Sequence, residues 1–115
     1  MSFSLDARVE LTFKQTADGG RTTPVLLQGF KYRPHLQVAD GEYLGVVCGL
    51  GPETPVSPGE TASCELAFTY SPGVSYGQLV EGVVFKVMEG STCVGAGRVL
   101  ERYVYAGVGA QRKQI

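Results

Sequence analysis

The sequence predicts an all-β domain, and two patterns and one absence carry that reading. Apolar and polar residues alternate over several short windows, the period-two signature of strands with one face in a core. Clusters rich in glycine and proline recur between those windows and mark turns. No window holds a helical period, because β-branched residues and glycines interrupt every candidate. Six or seven short strands without helices fold as a closed barrel or a sandwich, and periodicity alone does not choose between them.

The first strand carries Leu5, Ala7, Val9, Leu11 and Phe13 on one face, with Asp6, Arg8, Glu10 and Thr12 on the other. Ala17-Asp18-Gly19-Gly20 then supplies the turn of a hairpin. Its partner strand runs from Val25 to Tyr32, with Gly29 as a bulge or bend. Pro34 restricts the next segment to a sheet edge or the start of a loop. Tyr43 to Leu50 forms another short apolar strand. Gly51 to Glu60 holds three prolines, and Pro58-Gly59 has the residue order of a type II turn.

Cys64, Leu66, Phe68 and Tyr70 alternate with Ser63, Glu65, Ala67 and Thr69 in a half-buried strand, and Ser71 to Gln78 is a loop. Leu79–Met88 and Thr92–Tyr105 form a closing hairpin around Glu89-Gly90-Ser91. Gly95 and Gly97 stand two apart in its second strand, which marks close packing of backbone or a bend in a barrel. The domain spans residues 1–105, and the glycine-bearing segment 106–115 reads as a flexible tail.

Composition narrows the function. An apolar fraction of 43% with 18% charged residues excludes a disordered chain, and 115 residues bury a core without staples. A net charge of −1 lacks the basic surplus of a nucleic-acid binder, so DNA is not an expected partner. Met1 to Asp6 has no basic region followed by a long apolar run, and nothing approaches a membrane span, so no signal peptide and no membrane are expected. Cys48, Cys64 and Cys93 are odd in number and lack CxxC spacing, which fits reduced thiols in the cytoplasm.

Catalysis is not expected either. His35 is the only histidine, and no nucleophile or carboxylate stands in register with it. Metal-ligand spacing and a GxxxxGK[ST] phosphate loop are both missing, so no cofactor is implied. Tyr43, Tyr70, Tyr76, Tyr103 and Tyr105 supply either a contact surface or half-buried packing.

Four motifs occur in order along Leu5 to Tyr103: Gly19-Gly20-Arg21 with Thr23-Pro24, Gly29 with Tyr32-Arg33-Pro34, Val56 with Pro58-Gly59, and the Glu89-Gly90 turn with Val94-Gly95-Ala96-Gly97. Together they resemble the C-terminal (third) β-barrel domain of bacterial elongation factor Tu. The resemblance implies a closed antiparallel barrel of about six strands, with no catalytic residues, here without the GTPase domain. In that family the domain packs on the GTPase and on a second barrel, contacts the exchange factor, and touches the T stem of aminoacyl-tRNA.

By the same resemblance Arg21 and Arg33 lie where family arginines face RNA, and Gly90 lies where a glycine brings backbone near it; read from the residues alone, each arginine is equally a structural group that ties a loop to a carboxylate. Other positions depart from the family. His35 replaces a glutamine, Leu44 a threonine, Ser71 a lysine, and Met88 and Thr92 arginines. Each lost cation removes about one unit of phosphate neutralisation. The expectation is a cytoplasmic, non-enzymatic binding module for a protein linked to translation: the GTPase, its exchange factor, or a toxin that exploits the factor. It would act as a mimic, competitor or immunity-type protein. The alternative is tRNA or structured-RNA binding through Arg21, Arg33, His35 and the Gly90 backbone.

Overall fold

Six antiparallel strands close into a barrel in the computed structural model of the chain, which describes residues 4–106 and 111–114 and side chains as far as Tyr103. The strands are β1 (Ala7–Phe13), β2 (His35–Gln37), β3 (Leu44–Leu50), β4 (Thr61–Phe68), β5 (Val84–Glu89) and β6 (Thr92–Ala106). They are arranged in the order β1-β4-β3-β2-β5-β6, and β6 returns to pair with β1. β2, β3 and β4 are neighbours in sequence and space, and β1 lies beside β4, which is a Greek-key arrangement. No α-helix occurs among the described residues, and none is long and apolar enough to cross a membrane.

β1 shows why the ring closes. Its apolar residues Ala7, Val9, Leu11 and Phe13 are buried, while the alternate positions remain partly or fully exposed. One edge pairs with β4, Ala7 opposite Leu66 and Thr12 opposite Thr61. The other edge pairs with β6, Ala7 opposite Arg102 and Phe13 opposite Gly95. A Cβ on Gly95 would lie 2.5 Å from the Thr12 carbonyl oxygen, and one on Gly97 would run into the Glu10 carbonyl oxygen, both on β1. The two glycines therefore let β6 cross closely over β1. Leu66, Phe85, Val87, Val94 and Val99 fill the interior beside the β1 residues, and no polar or charged residue is buried among those described.

Several local expectations hold. Pro58-Gly59 forms a turn with Gly59 at φ 88° and the Glu60 N–H donating to Ser57 O at 3.0 Å, as type II geometry requires. β5 and β6 are joined through Gly90-Ser91, with Gly90 at φ 60°, the position at which a type II′ hairpin needs glycine. Gly29 is a bend, at φ 81°.

Other expectations are corrected. Thr16–Asp18 forms a single 3-10 turn ended by left-handed Gly19, and no hairpin comes after it. Val25 to Tyr32 is a loop that makes one bridge, Val25 to Val56, before Gly29 and Phe30 turn it at positive φ. Its apolar residues Val25 and Leu27 are buried as part of the core, so hydrophobicity there reports capping of the barrel and not a ladder. Pro34 does not force an edge: β2 pairs with both β3 and β5, and the proline carbonyl still accepts from Val46 N–H at 3.1 Å. The strand expected from Leu79 begins only at Val84, after a turn in which Val83 N–H donates to Val80 O. Tyr70 falls beyond β4 and is exposed.

The expected tail, residues 106–115, lies partly outside the described residues. Within it the backbone of β7 (Gln111–Gln114) pairs with Tyr103–Ala106 of β6.

Candidate binding surface

Arg21 is held in place by its neighbours. Its guanidinium donates to Glu89 Oε2 through Nη1, to the Thr23 carbonyl through Nε at 3.2 Å, and to Thr23 Oγ1 through Nη2 at 3.3 Å. Tyr32 donates its hydroxyl to the same Glu89 oxygen at 2.6 Å, and the Arg21 guanidinium lies 5.5 Å from the Tyr32 ring centroid. Burial, with the Glu89 hydrogen bond and charge behind it, pushes the Tyr32 hydroxyl far above its ordinary range, so it stays a neutral donor. Thr16 Oγ1 closes the loop onto the Arg21 carbonyl at 2.6 Å. A shallow surface depression of about 310 Å³ borders Arg21, Thr22, Thr23, Glu89 and Thr92. The positive charge that enters this site with Arg21 is matched by Glu89.

A second group of side chains gathers around Gly45. The Tyr32 and Pro34 carbonyls accept from Cys48 and Val46 N–H, so the chain runs extended into β2. Arg33 and His35 therefore project to the same side, opposite buried Pro34 and Leu36. His35 pairs through its backbone with Gly45 on one side and Met88 on the other. Its ring lies 6.1 Å from that of Tyr43. A Cβ on Gly45 would lie 2.5 Å from Tyr70 Cε2 and 3.5 Å from His35 Nε2, so the glycine makes room for the Tyr70 ring. Tyr43 is 44% exposed and Tyr70 56%. Arg33 is exposed and makes no ion pair among the described residues.

The loop that presents Tyr70 is anchored from below. Tyr76 donates its hydroxyl to the Gly45 carbonyl at 2.6 Å and accepts from Tyr70 N–H at 3.1 Å. Its ring stacks on Phe68 with centroids 4.4 Å apart. Arg102 sits 4.7 Å from the Phe68 ring centroid and donates to the carbonyls of Tyr76 and Leu79 at 3.1 and 2.9 Å. A cation and two aromatic rings thus fix the β4–β5 connection, and with it Tyr70, against β3.

The four residues singled out from the sequence lie around the β5–β6 hairpin. Gly90 is its exposed tip, Arg21 binds Glu89 just before the tip, His35 pairs with Met88, and Arg33 precedes that pair by two residues. They do not form a set of four free contact groups, because Arg21 is tied internally. Glu89 and Tyr32, which tie it, stand in the sequence only as motif residues and Arg102 is not singled out there; their partners lie 68, 57 and 23 or more residues away. Of the tyrosines, Tyr43 and Tyr70 are exposed and Tyr76 and Tyr103 are buried, while the Tyr105 side chain lies outside those described. No group of three or more histidine, cysteine or carboxylate side chains that could hold a metal occurs among the described residues.

Fold and site together define a small closed β-barrel with an aromatic and arginine-bearing outer surface. Comparison of the chain with protein-family models and with curated proteins finds no match.

Proposed function

We propose that the chain is a non-enzymatic protein-binding module, related in shape to the third domain of elongation factor Tu, that recognises a protein partner linked to translation. Arg33, His35, Tyr43 and Tyr70 form the contact surface. The observation that carries this reading is the neutralisation of Arg21 by Glu89, taken with the exposure of Tyr43 and Tyr70. Duplex RNA is gripped through phosphates and 2′-hydroxyls, and affinity scales with the cations that reach them. One of the two arginines assigned to that task is already paired, whereas tyrosine and arginine are the residues that anchor protein interfaces.

The partner is the translation GTPase, its exchange factor, or a toxin acting on the factor, and the barrel serves as a mimic or competitor of the corresponding domain. The test is calorimetric titration of the purified chain against intact elongation factor Tu and against its exchange factor. Support is a saturable complex with one of them, weakened at least about tenfold by Tyr70→Ala, as truncation of an interface anchor demands. Heats indistinguishable from dilution in both titrations would overturn the assignment to these two partners.

A further inference from the structure

We propose that Cys48 and Cys64 are a modification site: a small disulfide compound converts them, by thiol–disulfide exchange, into an intramolecular disulfide that joins β3 to β4. Both thiols are free, and their sulfurs lie 3.8 Å apart inside the barrel. They are not direct ladder partners, since Cys48 faces Leu66. They are diagonal neighbours on the inward face, drawn together by the twist of the strands. A disulfide bond is about 2.0 Å long, so each sulfur has to swing by roughly 1 Å.

One further feature favours the pair. The β3–β4 ladder shifts register between Cys48 and Leu50, so pairing with β4 is irregular beside Cys48, although Cys48 N–H and carbonyl are bonded to Tyr32 and Phe30 on the other edge. Cys93 is only partly buried and donates to the Gly95 carbonyl at 3.3 Å, apart from the pair. The Cys48 hydrogen bond and burial hold the Cys64 thiol well above its ordinary acidity range, so exchange is slow and proceeds through local opening.

Oxidised glutathione supplies the oxidising equivalents. Cys64 gives its proton to solvent and its thiolate attacks one glutathione sulfur, breaking the glutathione disulfide and releasing one glutathione thiolate, which takes up a proton. Cys48 then loses its proton and attacks Cys64 Sγ, displacing the second glutathione thiolate, which is protonated in turn. Two protein thiols are oxidised to one disulfide, and one glutathione disulfide is reduced to two thiols.

The test incubates the reduced, folded full chain with oxidised glutathione, then alkylates it and counts thiols by intact mass. The three free thiols should fall to one, with loss of two hydrogens and no retained glutathione. Proteolysis after glutamate at Glu53 or Glu60 separates the two cysteines, and a non-reduced digest should contain the Cys48–Cys64 cross-link. Cys93→Ser should leave no free thiol, and Cys64→Ser should leave two. Should Cys64→Ser fail to fold, the wild-type digest decides alone. Three thiols surviving to equilibrium, a mixed disulfide that never resolves, or a cross-link through Cys93 would each overturn the proposal.

Discussion

Gly95→Ala probes the closure of the barrel with a single methyl group. The added Cβ would lie 2.5 Å from the Thr12 carbonyl oxygen and 3.2 Å from Phe13 Cα, where ordinary contact begins at 3.4 Å. Both obstacles are backbone atoms of β1, so no side chain can rotate away, and the β1–β6 ladder must move apart by roughly 1 Å. Overpacking of this kind costs about 3 kcal/mol at the upper end of its usual range. Alanine also narrows the unfolded ensemble and returns about 0.5–1 kcal/mol. The net loss is about 2 kcal/mol, which at roughly 4 °C per kcal/mol lowers the melting temperature by about 8 °C. Gly77→Ala is the control, since its Cβ meets nothing closer than Ser75 Oγ at 3.5 Å. Urea unfolding monitored by circular dichroism, at equal slope for all three proteins, reads the difference. If Gly95→Ala and Gly77→Ala unfold at the same midpoint, close approach of β6 to β1 is not what the glycine provides.

Three further outcomes are expected. Tyr32→Phe removes the hydrogen bond to Glu89 while keeping the ring beside Phe13, and should cost about 1 kcal/mol in urea unfolding. Arg102→Ala frees the carbonyls of Tyr76 and Leu79 and bares one face of Phe68; hydrogen exchange over residues 70–83 should accelerate at least about tenfold, as loss of about 1.4 kcal/mol or more dictates. Burial raises the Asp6 carboxyl above its ordinary value of 3.8, against the opposing pulls of Phe68 N–H and Arg102. The folded chain thus keeps a proton that the unfolded chain releases, and the resulting stability is complete below 3.8 and lost as pH rises through the folded value. Measured from about pH 3 to about pH 7, the unfolding free energy of wild type relative to Asp6→Asn should fall with rising pH; a constant difference would contradict the burial effect.

What the sequence revealed depended on how each segment meets the core. β1 buries one face, and so does β4 as far as Leu66, so Val9 and Leu66 alternate with Glu10 and Glu65 and the strands were legible. β3 is buried on nearly every residue, because Tyr70 packs on Gly45 and Phe30 and Leu5 approach Gly49 from outside; it announced itself only as an apolar run. Val25 and Leu27 misled for the same reason reversed, being core residues carried by a loop. Closure into a ring was expected from the family resemblance; Gly95 and Gly97 marked only a close approach or a bend, and their spacing does not by itself say which backbone comes near. At the candidate surface, the turn at Gly90 was readable from local chemistry. A tie from Arg21 to a carboxylate was one of its two readings, but Glu89 as the partner was not legible, since 68 residues separate the two groups and only the folded barrel brings them together.

Labelled tRNA titrated with the purified chain at low salt asks most directly whether this barrel recognises nucleic acid. With Arg21 held by Glu89, fluorescence anisotropy should show no saturable binding, and the combined Arg21→Ala and Arg33→Ala variant should be indistinguishable from wild type. Saturable binding that weakens steeply with added salt, and collapses in the double variant, would contradict the proposed protein-directed function.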